Sequence, residues 1–368
     1  MAYRVLVALG RLSDAKHLIP IEWAHVSGVS YLTIGEYGLD FLERIARQGA
    51  KFRTFTTVNP CGMDIEKWDV LGISSEYAEK QLKIISAYKK LGTASSFTCL
   101  PFQSYPVPNR GTHIAWAESS AAIFANSILG LRTNRESAIS ALASALTGKT
   151  VYSDLHIDSK REPTCAVKIT KRDTLHGALD FGILGYFSGR KVKGVVQFQG
   201  VRHPAIEESK SLCAALGTVG SVGMFTLGRS KTLETIEFGD KEFEATLSEL
   251  SDNSIGDLVV FGCPQMTIEE LYELSKLLKG KCFKKKCIVF CSSKIYEIAK
   301  ERDYTDAIEA TGAIFVRDAC ADFTPLISSL KVSSVETDSV KGAHYMKRVH
   351  GVKTTLHDTR TLIKENTR

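Results

Sequence analysis

A chain of 368 residues with 44% apolar and 24% charged side chains carries enough apolar mass for a large core and more than one domain. Its net charge of +6 is dispersed, without the basic stripe that nucleic-acid binding requires, and no run approaches the roughly 18–20 apolar residues of a membrane span. Met1–Gly10 places Arg4 inside a short apolar stretch and lacks a signal-peptide cleavage pattern, so the expected compartment is the cytoplasm, where nine cysteines need a purpose other than disulfides.

His17–Tyr31 reads as strand and loop, and Ile34–Gln48 as an amphipathic helix stopped by Gly49. Phe52–Val58 alternates as a strand and enters the Asn59-Pro60-Cys61-Gly62 turn. Glu76–Leu91 is a helix ended by Gly92, and Ser96–Leu100 a short strand. Thr112–Leu129 has apolar residues at helical spacing, which predicts a helix with Glu118 inside it. A carboxylate there is costly unless paired or catalytic, and Arg132 or Arg135 would be its structural partner. These elements make a first unit, residues 1–163.

A second unit, 164–253, alternates strand Ala166–Ile169, helix Leu175–Ser188, strand Gly194–Phe198 and helix Ile206–Ala215. Gly217, Gly220 and Gly223 resemble a phosphate loop superficially, but the Gly-Lys-Ser/Thr ending is missing, so they read as a turn between helix and core strand. In the third unit, 254–368, strands Asp257–Phe261, Cys287–Cys291 and Ala313–Val316 alternate with helices Thr267–Leu278 and Ser293–Arg302. The run Lys281, Lys284, Lys285, Lys286 reads as a solvated turn. Strand–helix alternation predicts an α/β fold with a parallel sheet, whose ligands sit at the carboxyl ends of the strands.

Cys99, Cys263 and Cys320 each follow a predicted strand, beside turns or helix starts whose N–H groups stabilise thiolate charge. Cys165, Cys213, Cys282, Cys287 and Cys291 read as packing residues, and His156, His176 and His203 as isolated. With no C-x-x-C pair, any metal site must be assembled from distant cysteines. Three thiolates can hold an iron–sulfur cluster and leave one iron free as a Lewis acid, although spacing alone leaves three unrelated cysteines open. Two turns also present polar groups from fixed positions. Ser27-Gly28-Val29-Ser30 can aim N–H groups at an anion, and Asn59 is held extended before Pro60.

Several stretches resemble the aconitase X family: His25–Tyr31 with Thr33–Gly38, Thr57–Asp64, Phe97–Pro101, Trp116–Ser120 with Ala125–Glu136, Gly262–Pro264, and Lys341–Tyr345. The resemblance runs over nearly the whole chain. Asp318-Ala319-Cys320 departs from the expected Asp-Thr-Cys, and the chain starts closer to the His25 motif than is usual. The resemblance implies an aconitase-like multi-domain fold of α/β/α layers around a 4Fe–4S cluster, with Cys99, Cys263 and Cys320 as ligands. It implies that Gly28, Val29, Ser30, Asn59, Pro60, Glu118, Ser119 and Lys341 line a substrate pocket. Family members are hydro-lyases acting on cis-3-hydroxyproline or on mevalonate 5-phosphate, and a separate-subunit layout favours the second. The expected alternatives are the hydroxyproline activity or a cluster-binding relative without catalysis. Since no room remains for the superfamily's swivelling domain, the resemblance implies that a small partner subunit brings it, together with the serine base.

Overall fold

The computed structural model describes residues 1–170, 175–229 and 232–368. Among these, three parallel sheets carry the fold, and a short antiparallel pair, Leu18–Pro20 with Lys149–Val151, lies beside them.

In the first sheet Trp23–Val26 runs between Phe55–Val58 and Ala115–Trp116, with His25 level with Thr57 on one side and Trp116 on the other. All of Trp23–Val26 is buried, as befits a central strand covered on both faces. Helix Tyr31–Arg47 starts at Ser30, whose hydroxyl accepts from the Leu32 N–H, and it buries Leu39, Leu42 and Ile45 at helical spacing. Helix Ser75–Leu91 is capped by Ser74 and ends at Gly92 with a left-handed φ of 100°. Both pack on the sheet together with Ala138–Thr147.

The predicted helix over 112–129 is not one helix. Ala115–Trp116 is drawn into the sheet, the Ala117 N–H bonds the His25 carbonyl, and the helix begins only at Ser119, running to Phe124 before a wide turn over Ala125–Leu129. Burial of Trp116 against Trp23 outweighs the helical spacing of this segment. Ser96–Leu100 likewise contributes one bridging residue, Phe97 opposite Val58. At the N-terminus, Ala2–Leu12 is a helix that seats Leu6 against Ala143 and Val151, with Arg4 exposed.

The second sheet has the order Met224–Leu227, Val195–Gln199, Cys165–Ile169, Thr235–Phe238. Helix Ile206–Val219 runs past the predicted end at Ala215 and includes Gly217, so only Gly220–Gly223 forms the turn. Gly217 is required by close approach, since a Cβ there would lie 2.7 Å from Ser119 Oγ. Arg135 donates to the carbonyls of Gly217 at 3.0 Å and Val222 at 3.3 Å, a cation at the helix C-terminus.

The third sheet has the order Ala313–Arg317, Lys286–Cys291, Leu258–Phe261, Ser334–Thr337, Lys353–Leu356, all parallel. Its last two strands escape the sequence reading because they are rich in Ser, Thr, Lys and Glu. Glu336 is buried there on Lys285, at 2.8 Å, and on Asn366, so the lysine run is not wholly solvated. The first and third sheets meet through their main chains, with Cys61 N–H to Asp318 O and Cys320 N–H to Cys61 O both at 2.9 Å. Their carboxyl ends therefore face one another. Among the described residues no helix is long and apolar enough to cross a membrane.

Candidate active site

The site is built from strand ends. In the first sheet the chain leaves Val26 for Ser27–Ser30, Val58 for Asn59–Pro60, and Trp116 for Ala117–Ser119. In the third it leaves Phe261 for Gly262–Pro264, Arg317 for Asp318–Cys320, and Thr337 for the turn before Lys341. Parallel strands align these loops on one side, the side on which α/β sheets bind ligands.

A cavity of about 140 Å³ lies where they meet, lined by Pro60, Cys99, Glu118, Ser119, Cys263, Cys320, Asp322 and Lys341. Three thiols thus share one wall with a buried acid and a buried lysine. Cys99 is tied to the Gln265 segment: its sulfur accepts from the Gln265 N–H at 3.1 Å, and its N–H donates to Gln265 Oε1 at 3.3 Å. Burial pushes the Cys99 thiol up to about 12, with Glu118 adding to the shift, and it raises Cys263 and Cys320 as well. Such thiols ionise only against a strong local cation, and a thiophilic metal supplies one.

Glu118 stands at the N-cap of helix Ser119–Phe124, not inside a helix, and neither Arg132 nor Arg135 is its partner. Arg132 instead reaches Asp158, and Arg135 the helix end already described. Glu118 accepts from Lys341 Nζ at 2.8 Å, Asn59 Nδ2 at 2.8 Å and Ser120 Oγ at 3.0 Å. Burial pushes its carboxyl up, but the Lys341 ammonium and these donors outweigh that and hold it at about 2. Lys341 is raised in turn, the Glu118 charge overcoming burial, so the pair is ionised.

Behind Asn59 the donors run in one direction. Because the Asn59 amide N–H₂ faces a carboxylate, its Oδ1 must accept, so His25 Nε2 donates to it at 2.7 Å. His25 Nδ1 then accepts from Thr57 Oγ1 at 2.7 Å, and Thr57 accepts from Trp23 Nε1 at 2.8 Å. Burial, the dominant influence, lowers His25 to about 4 against the pull of Glu118 and Asn59, keeping the ring neutral.

Gly28, Val29 and Ser30 do not line this cavity. Ser30 touches its rim by donating to the Phe323 carbonyl at 2.8 Å, and the N–H groups of Gly28, Val29 and Ser30 carry no partner among the described residues. A larger cavity of about 520 Å³ lies behind Cys263 and Pro264, but of the three thiols it touches only Cys263, so the chemistry belongs to the smaller one. His156 is not isolated, pairing with His113 through their Nδ1 atoms at 2.9 Å. Of the five packing cysteines, Cys282 is exposed and Cys165 half-buried. Sequence reasoning missed the roles of His25 and Asp322. An acid between Ala321 and Phe323, two positions beyond a candidate ligand, was the available signal for the second.

Fold and site define an α/β protein with three thiols and an ionised Glu–Lys pair at facing strand ends. Sequence models of the aconitase X first, second and third domains match residues 1–159, 163–248 and 256–368. The chain belongs to the aconitase X family. It is 37% identical to the phosphomevalonate dehydratase large subunit of Methanocaldococcus jannaschii, over 98% of this chain and 94% of that protein. It is 30% identical to the cis-3-hydroxy-L-proline dehydratase of Hypocrea jecorina, over 94% of this chain but 61% of that protein. The crystal structure of Thermococcus kodakaraensis aconitase X in its holo form superposes with a TM-score of 0.92 at 35% identity, covering 99% of this chain and 94% of that one.

Proposed function

We propose that this chain is the large subunit of a cytoplasmic hydro-lyase that dehydrates (R)-5-phosphomevalonate to trans-anhydromevalonate 5-phosphate, working with a small subunit. The observation that carries the reading is the convergence of Cys99, Cys263 and Cys320 on the cavity that also holds the Glu118–Lys341 pair. The names of the archaeal relatives support the substrate and the small subunit, which we take to be the swivelling domain.

The donor set fits a 4Fe–4S cluster. Three thiols, those of Cys99 and Cys263 on buried residues and that of Cys320 on a half-buried one, face one cavity, and a carboxylate oxygen of Asp322 beside them is buried without a partner among the described residues, as a missing cation leaves it. When bound, the cluster supplies an iron without a thiolate, which polarises a substrate hydroxyl and carboxylate.

The protein residues orient the substrate and exclude water. Lys341, fixed by Glu118, offers an ammonium to the substrate carboxylate at the cavity wall. The unpartnered N–H groups of Gly28, Val29 and Ser30 lie beyond the cavity, on the side where Ser30 meets its rim, and suit the phosphate oxygens of a substrate that reaches past it. Asn59 and Pro60 keep the wall rigid, and Ser119 adds a hydroxyl. Glu118, engaged by three donors and held at about 2, is a poor base, and a charged Lys341 is none. The proton beside the carboxylate therefore leaves to a group outside this set, for which a serine of the small subunit is the natural candidate.

The test is dehydration by the anaerobically reconstituted two-subunit complex, with mevalonate 5-phosphate and cis-3-hydroxyproline assayed side by side. The first should turn over. Turnover of the second alone would reverse the substrate assignment and leave the dehydratase chemistry standing.

A further inference from the structure

We infer that Asp322 is a fourth protein donor at the three-cysteine centre, its carboxylate oxygen facing the iron that Cys99, Cys263 and Cys320 leave without a thiolate. The inference rests on the cluster reading above and adds a residue to it.

Asp322 is 1% exposed and lines the same cavity as the three thiols. Its Oδ1 is buried with no hydrogen-bond partner among the described residues, and its Oδ2 has one, the Cys263 thiol at 2.9 Å. Buried carboxylates are normally surrounded by donors, as Glu118 is by Lys341, Asn59 and Ser120.

The single donor cannot survive metal binding. Cys263 would bind iron as a thiolate, so its S–H would no longer reach Oδ2 and neither carboxylate oxygen would keep a donor among the described residues. Lys341, the cation at this cavity, is already bonded to Glu118. The side chain is buried, and the main chain that carries it is fixed. The Asp322 carbonyl is held by His350 Nε2 at 2.8 Å, and the Phe323 carbonyl by Ser30 Oγ at 2.8 Å. A cation on the cavity side would satisfy the carboxylate, and an iron lacking a fourth ligand is such a cation.

A carboxylate oxygen binds iron more loosely than a thiolate does, which suits a position that substrate must enter. With the cluster bound, Asp322 would hold that iron in the substrate-free protein and would yield the position to a substrate oxygen. Asp322 would thus shield that iron in the substrate-free protein.

The experiment compares the reconstituted wild-type complex with Asp322→Asn and Asp322→Ala. Iron release to a chelator and Mössbauer spectra of the substrate-free protein are followed. One iron of four should leave at least tenfold faster from both variants, and its doublet should change. The metal-free variants should melt no lower than wild type, because a buried carboxylate held by a single thiol donor has been removed. Equal iron release with superimposable spectra would overturn the inference, as would an unchanged iron count with a shifted reduction potential, which marks a protonated Asp322 bonded to the Cys263 sulfur. A wild-type complex that takes up no iron would instead overturn the cluster reading, and this inference with it.

Discussion

Asn59 and Glu118 leave strands on opposite sides of Trp23–Val26, yet their side chains meet at 2.8 Å. His25, on the strand between them, makes this geometry one-directional. Trp23 donates to Thr57, Thr57 to His25, His25 to Asn59 and Asn59 to Glu118, with Lys341 donating from the other side. Every donor points at the carboxylate, so Glu118 is fixed as an acceptor and Lys341 is fixed by Glu118.

His25→Leu removes the donor to Asn59 Oδ1 and frees the amide to turn over. Glu118 then loses a donor, and the Lys341 ammonium shifts. A catalytic group displaced by about 1 Å costs on the order of 100-fold in rate, and that is the expected loss in kcat. His25→Gln, whose amide nitrogen reaches the place of Nε2, should stay within about tenfold of wild type by the same argument. Steady-state kinetics of the complex tests this, and equal losses in both variants would remove His25 from the positioning chain.

The same histidine shapes acid stability. Its folded-state value of about 4 lies below the ordinary value of 6.5. Above pH 6.5 neither folded nor unfolded chain protonates it. Between pH 6.5 and about 4 the unfolded chain takes up a proton that the folded chain refuses, so stability falls as the pH falls. The slope is about 1.4 kcal/mol per pH unit for one proton. Urea unfolding of wild type and His25→Gln at several pH values should show a difference of that size confined to this window.

What the sequence made legible followed from local signals. Cys263 and Cys320 were placed at strand ends by buried runs of Val, Ile and Phe followed by turns, and parallel sheets bring such ends together. Glu118 stood out by its cost in an apolar context, but its partner did not, because Lys341 lies 223 residues further on and long-range pairing leaves no periodic trace. Helical spacing over 112–129 misled for the opposite reason. Ala115–Trp116 is held by its strand neighbours, and propensity yields to that contact. Ser334–Thr337 and Lys353–Leu356 were hidden because their buried polar groups are satisfied only in the folded chain.

Lys341→Met tests the buried pair. Both Glu118 and Lys341 are 8% exposed, so removal of the ammonium strands a carboxylate in the protein interior. Breaking such a pair from one side costs about 3–5 kcal/mol, whereas neutralising both partners costs far less. Equilibrium unfolding should find Lys341→Met strongly destabilised, with Glu118→Gln added to it recovering most of the loss. A double variant no more stable than the single one would show that Lys341 supports the fold through packing rather than charge.

The cysteines give the sharpest contrast, because Cys61 sits beside Cys320 in the main-chain bridge between the two sheets. Proximity alone does not separate a ligand from a bystander. The hydrogen bonds do: Cys61 Sγ donates to the carbonyls of Met63 at 3.0 Å and Asp318 at 3.1 Å, so its proton has two acceptors and its sulfur faces main chain. Burial raises it further, with the Asp318 charge adding to the effect. Cys320 instead lines the cavity with Cys99 and Cys263. Serine at 99, 263 or 320 should abolish the brown chromophore of the anaerobically reconstituted chain. Cys61→Ser, whose hydroxyl can make the same two bonds, should keep it, as should Cys213→Ser in the core that packs on the second sheet. Visible absorption and iron content read the outcome. Loss of the chromophore in Cys61→Ser with retention in Cys320→Ser would exchange the two residues and move the metal to the other side of the bridge.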